Sequence, residues 1–517
     1  MKNSKIDLKT IVSFSIILIF LVVIGKIIQN YIVLPIIENA YNGNSFEYLN
    51  KLISHHHLKN PTVRNLEFYK LEVPKYFNRI LGLFTYFLIF TWIIFRNKKK
   101  VLTNFFLVEE SAFKLAILRI VVVGFLLYLN IPGSLDALIS LGSSATIPPL
   151  GWPKTIVNLL VNPNISHILG ISFTLFCLGA FIGIYTRFML IGAALTGLFV
   201  MGIPQFYGKI DHYHILWQLL LLLSFSPSGN SLSVDCWRKK TAQINLEKSI
   251  AFGLPLRITM VLIGLLYLFP GFWKFALSGF EWAFSENLAY KLHSKWLEYG
   301  GWVPSFRIDR YPFLYKTAAF STLIIELGFV FGLFFKKTRL IFVITAFSFH
   351  LSVYYLMKIP FVSLMIVYVV FIDWDRLTKF LIKNINGHIE HNHILSKRIV
   401  LIKWAGILLV IGNTFAGFLL INSWPFAVYP TFASIETGTV PSIVIQAKDI
   451  DDNIIYESIP LLDDVFLDQF KSTGRLRGFL ETILNKSEVD ENQVNTLISI
   501  SQNSNSIPKN AVLIEVS

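Results

Sequence analysis

The chain has 517 residues, of which 54% are hydrophobic and 15% charged, and its net charge is +14. A soluble chain of this length carries about a quarter charged residues, and the mean hydropathy of +0.58 excludes an ordinary soluble protein. Its basic residues sit in short loops between apolar runs, so the positive charge reads as membrane topology and not as a nucleic-acid surface.

Apolar runs of about twenty residues recur along the chain, the length that crosses a bilayer as a helix. They do not alternate apolar with polar residues as barrel strands would. The expected fold is an all-α polytopic membrane bundle of about eleven transmembrane helices with a small α+β domain at the C-terminus. The N-terminal run, residues 11–29, is long for a signal-peptide core and has no obvious small-residue cleavage site, so it reads as a retained signal anchor. A second helix is expected over 79–95, and 35–78 as an external stretch, giving an N-terminal extension over 1–100. The membrane core, 101–380, should hold helices over 113–129, 168–185, 188–203, 212–225, 254–276, 313–335, 340–356 and 360–372. A cytoplasmic loop and a last helix over 400–420 complete 381–421. The tail, 422–517, reads as strands over 442–448, 454–458 and 511–516, with a mostly helical stretch over 464–485. Cys177 and Cys236 exclude a disulfide framework.

Five basic groups set the orientation. They are Lys2, Lys5 and Lys9; Arg96, Lys98, Lys99 and Lys100; Arg238, Lys239 and Lys240; Lys336, Lys337 and Arg339; and Arg376, Lys379, Lys397 and Arg398. With eleven spans all five fall on one side, the cytoplasm by the positive-inside rule. The N-terminus is then cytoplasmic and the C-terminus extracytoplasmic, in an integral protein of a bacterial inner or plasma membrane.

Few ionisable residues interrupt the apolar runs. Lys274 lies near the outer end of the seventh helix, where a lysine either snorkels to the interface or serves chemistry. A lysine acting as a base needs a desolvated pocket. His212 and His214 open the sixth helix at the same face, as structural or as catalytic histidines. Glu326 lies inside the eighth helix and His350 inside the ninth, and such residues face a bundle interior with partners. Asp211-x-x-His214 is too sparse for a metal site. The histidine groups at 55–57 and 388–393 fall in loops on opposite membrane faces, so no metal is expected. The chain has no P-loop, dinucleotide fingerprint, zincin motif or nucleophile elbow.

Four segments between Ser111 and Trp374 resemble the horizontally transferred transmembrane (HTTM) domain, the membrane core of vitamin K-dependent gamma-carboxylases. They are the Gly-x-x-Thr-Arg turn Gly183-Ile184-Tyr185-Thr186-Arg187; the helix led by His212 and closing on Ser233-Val234-Asp235; Gly271-Phe272-Trp273-Lys274 followed by Trp282; and Glu326 with His350 and the Ile359-Pro360-Phe361 segment. In the carboxylases a membrane lysine of an Ala-Gly-x-Lys-Lys segment is the base toward the reduced quinone. The second lysine matches Lys274, while Trp273 replaces the first and Pro270 the alanine. A histidine opening an outer-facing helix matches His212, and an acid and a histidine recur at Glu326 and His350. The resemblance implies Lys274 and His212 as catalytic residues. It implies His350, Trp273, His214 and Trp282 as lining of a substrate or quinone pocket, and Glu326 and Arg187 as structural polar residues in the membrane. It also implies a reduced quinone of the vitamin K or menaquinol type. The short tail departs from the family, whose larger C-terminal part holds a protein substrate.

The expected function is quinol oxidation coupled to carboxylation, or a related reaction, of an extracytoplasmic peptide or small molecule. The alternative is a non-catalytic membrane scaffold or transport component with the external tail as an interaction module. A dry pocket around Lys274 would favour the first, and a filled helix interior the second.

Overall fold

Long apolar runs leave no water for backbone polar groups, so they close their hydrogen bonds within helices. The computed structural model describes residues 8–58, 64–95, 100–299, 301–381, 394–428 and parts of 432–516. Among the described residues, nine helices are long and apolar enough to cross a membrane. They occupy Val12–Tyr41, Leu66–Ile94, Ala112–Ile139, Pro163–Ile182, Thr186–Phe206, Ile250–Ser278, Pro312–Gly332, Lys336–Met357 and Arg398–Phe418.

The other two expected spans correspond to shorter apolar helices, His214–Phe225 and Val362–Phe371. Twelve residues rise about 18 Å as a helix, short of a ~30 Å hydrocarbon core. His214–Phe225 is buried on nearly every face, so its apolarity, interrupted at Gln218, belongs to a core helix and not to a lipid-facing span. The segment expected as a helix over 360–372 is a single α turn, Val362–Met365, followed by the 3₁₀ helix Ile366–Phe371. The expected external stretch over 35–78 is largely helical, with Leu34–Tyr41, Glu47–Leu58 and the first turns of Leu66–Phe95. The side chains of the histidines at 55–57, the 388–393 group and most of 464–485 lie outside the described residues.

The chain divides into two compact units. The smaller is Met1–Lys99 with Phe272–Trp282. Within it Phe14 stacks on Trp92 at 4.5 Å between ring centroids, and Lys26 Nζ donates to Asn78 Oδ1 at 2.6 Å. The Arg79 guanidinium donates to the Leu277 carbonyl, tying the 272–282 segment to the N-terminal helices.

The larger unit is Lys100–Gly271 with Ala283–Ser517. Its helices Pro163–Ile182, Thr186–Val200 and His214–Phe225 pack in succession, and Ala112–Leu129 packs on the first and third of them. Strands Glu110–Ser111 and Lys248–Ser249 pair antiparallel. Near the C-terminus Ile445–Lys448 is the centre of a three-stranded antiparallel sheet, flanked by Ile454–Ser458 and Leu513–Val516. Ile445 stands opposite both Ser458 and Val516. Ile445, Phe466, Phe470, Phe479 and Leu497 are buried in the same apolar core as Leu115, Leu219 and Ile263. The tail therefore shares its core with the membrane helices.

Candidate functional site: a buried histidine and tyrosine cluster

Two of the four motif segments meet directly. Gly183 adopts φ +75°, and a Cβ there would lie 2.4 Å from Ser233 Cβ, so only glycine both ends the preceding helix and admits the Ser233 segment. The Asp235 carboxylate then accepts from the Tyr185 N–H at 2.9 Å, the Thr186 N–H at 2.8 Å and the Thr186 hydroxyl at 2.7 Å. An anion is favoured at that position because the helix beginning at Thr186 presents free N–H groups there. Arg119, fully buried beside this turn, donates to the carbonyls of Ser228 and Leu232. Arg187, expected as a polar residue inside the membrane domain, is exposed, and Thr186 makes the packing contact.

Glu326 is buried, as an acid inside a helix bundle must be. A Cβ on Gly271 would stand 2.7 Å from Glu326 Cβ and 3.2 Å from its backbone. The glycine of the Gly-Phe-Trp-Lys segment thus permits close approach of two helices at Glu326.

The principal polar cluster lies nearby. Tyr267 reaches His350 Nε2 and the Tyr368 hydroxyl with a single hydroxyl group. All three residues are buried. Phe329 stacks on Tyr267 at 4.6 Å. The Phe361 ring lies between two imidazoles, 4.8 Å from His350 and 4.9 Å from His212. His350 Nδ1 is buried with no hydrogen-bond partner among the described residues. Burial of a polar atom without a partner is costly, so this nitrogen marks a place where a ligand would gain a hydrogen bond.

His212 lies in the connection before the core helix, and its carbonyl accepts from the Ser363 hydroxyl at 3.2 Å. Burial and the Lys209 ammonium push the His212 imidazolium down to about 4, against the neighbouring Asp211 carboxylate. Asp211 pairs with Arg475 of the C-terminal segment. Burial pushes the Asp211 carboxyl up, but Arg475 and Lys209 outweigh it and hold the group below its ordinary value. His214 opens the core helix and is fully buried.

Lys274, Trp273 and Trp282 belong to the smaller unit, whereas His212, His214, Glu326 and His350 belong to the larger. Lys274 is 5% exposed. Its Nζ lies 5.0 Å from the Trp282 ring centroid, a cation–π distance. Trp282 is buried, and Trp273 packs edge-on against Phe272 at 5.4 Å. Lys274 is thus buried with its ammonium over the Trp282 ring.

Of the residues expected at a site, His212 and His350 come together around Phe361. Tyr267, Tyr368 and Phe361 were not expected there. Tyr267 begins the segment that leads to Gly271, and a phenol needs a partner when buried; that signal was available. No family model matches the chain, and neither the curated proteins nor the solved structures include a match.

Proposed function

We propose that this protein is a membrane enzyme in which dioxygen oxidises a lipid-soluble quinol and the reaction is coupled to chemistry on an extracytoplasmic substrate, as a protein of the HTTM and vitamin K-dependent carboxylase type. The pairing of Glu110–Ser111 with Lys248–Ser249 and the Lys114–Asp373 ion pair return the chain to one side after the two shorter helices, so the basic loops still fall together and support a cytoplasmic N-terminus and an extracytoplasmic C-terminus. The observation that carries the reading is the buried Nδ1 of His350, unpartnered among the described residues, beside a tyrosine pair.

The residues fit a quinol. A quinol carries hydroxyl groups on an aromatic ring, and the cluster offers a free imidazole nitrogen among aromatic side chains. When bound, the quinol supplies two electrons and two protons. His350 would hold a hydroxyl through Nδ1, while Tyr267 fixes its tautomer through Nε2. Tyr368 holds the Tyr267 hydroxyl. His212, across Phe361, would orient a reaction partner. Lys274, in the smaller unit, is buried against Trp282, and its role as proton acceptor rests on its match to the carboxylase lysine alone.

Lipid extraction tests the reading. The purified full-length protein should retain a quinone, and His350→Leu should lose it while keeping its fold. If menaquinone or phylloquinone added to the wild-type protein binds no better than to His350→Leu, the reading fails. A second reading, a non-catalytic scaffold, is favoured by the filled surroundings of helix His214–Phe225, where Gln218 and Asn413 satisfy each other's amides.

A further inference from the structure

A groove of about 660 Å³ runs along the helix Lys336–Met357. Lys336, Arg339, Val343 and Phe347 line one wall, spaced by three and four residues, so they share a helix face. Tyr368 and Ile372 stand on the other wall. The only charged residues lining the groove are Lys336 and Arg339, both at one end. Neither forms an ion pair among the described residues, though Arg339 donates to Met260 Sδ at 3.9 Å and lies within electrostatic reach of Arg257 and Glu110. Glu110 pairs with Arg257 and Lys114, and Asp373 and Asp375 face Lys114.

The dimensions match one leaflet. From Lys336 to Ser348 the helix rises about 18 Å, against the ~15 Å depth of half a hydrocarbon core. The helix starts at Lys336 with no side-chain cap from Phe335, so its positive end adds to the two cations at the same mouth. Two unpaired cations over a leaflet-deep apolar wall are complementary to an anionic head attached to an acyl chain.

We infer that this groove binds one anionic phospholipid, with its phosphate held by Lys336 and Arg339 and an acyl chain lying along Val343 and Phe347. The inference does not rest on the quinol reading, although the Tyr368 ring borders both the groove and the Tyr267–His350 cluster. With the basic loops cytoplasmic, the mouth faces the cytoplasmic leaflet, where basic pockets between helices hold such head groups. Arg339 carries the more specific contact, since its planar fork fits two phosphate oxygens.

Native mass spectrometry of the full chain tests the assignment. The probes are phosphatidylglycerol and phosphatidylcholine of identical acyl chains. One phosphatidylglycerol should survive activation that strips phosphatidylcholine. The double substitution Lys336→Gln with Arg339→Gln should reduce that retention by roughly tenfold. Lys337→Gln, at an exposed neighbour that does not line the groove, should leave it unchanged. Ile344→Trp fills the groove without touching the cations and should also expel the lipid, so the test survives if the double variant misfolds. Equal retention of the two lipids, unchanged retention in the filled variant, or displacement by menaquinone would overturn the assignment.

Discussion

The hydroxyl of Tyr267 bonds to Nε2 of His350, 83 residues later in the chain. The same hydroxyl meets Tyr368, so a single oxygen joins three helical segments inside an apolar core. Tyr267→Phe keeps the ring that stacks on Phe329 but deletes this oxygen. It should cost about 1–3 kcal/mol, because His350 Nε2 and the Tyr368 hydroxyl lose a buried partner. Thermal unfolding in detergent would measure the loss. Quinol turnover should fall as well, since the imidazole tautomer is no longer fixed.

Gly271 offers a steric test. Its absent Cβ would collide with Glu326 Cβ and backbone, so Gly271→Val should force the two helices apart and cost roughly 1–3 kcal/mol. Gly82→Ala is the control, because nothing lies within 4 Å of a Cβ at that helical position. It should be neutral or stabilise by up to about 1 kcal/mol. Equal melting shifts for the two substitutions would contradict the close-approach account.

Asp235→Ala removes the acceptor that serves two backbone N–H groups and the Thr186 hydroxyl. Loss of a cap of this kind costs about 0.5–2 kcal/mol. Proteolysis at the Gly183–Arg187 turn should rise in step with the stability loss. An unchanged cleavage rate would show that the turn holds without the carboxylate.

The His212 environment predicts an acid slope. Its folded-state value lies near 4, below the ordinary 6.5, so the unfolded chain binds a proton more readily. Stability is then complete above pH 6.5, declines as pH falls toward about 4, and levels off below that. His212→Gln should flatten this window. Asp211, held below its usual value by Arg475 and Lys209, adds its own loss at more acid pH, below the ordinary carboxylate range. A melting profile with the same slope in the wild type and His212→Gln would place the acid sensitivity elsewhere.

Hydropathy located the apolar centre of each of the nine long helices among the described residues, because a segment in lipid has one way to satisfy its backbone. It could not separate the core helix His214–Phe225 from a span, since a helix surrounded by protein and one surrounded by lipid are equally apolar. His212 and His350 stood out as ionisable residues in apolar context. Phe361 stood only as part of a motif segment and Tyr267 and Tyr368 not at all, because an aromatic in a hydrophobic run reads as wall until its neighbours are known. The Asp211–Arg475 pair spans 264 residues, a separation that no local pattern encodes. For Lys274, a position near a helix end fitted both snorkelling and a buried role, and only its tertiary surroundings separate the two.

In the proposed function Lys274 serves proton transfer in a quinol-coupled reaction. Lys274→Met preserves the side chain's length and apolar stem against the Trp282 ring, so the variant should fold. Quinol oxidation should be followed in nanodiscs with bicarbonate and candidate acceptors present, comparing wild type with Lys274→Met. The account predicts turnover in the wild type and a loss of about a hundredfold or more in the variant, at unchanged melting temperature. Wild-type turnover in a well-folded Lys274→Met protein would contradict it.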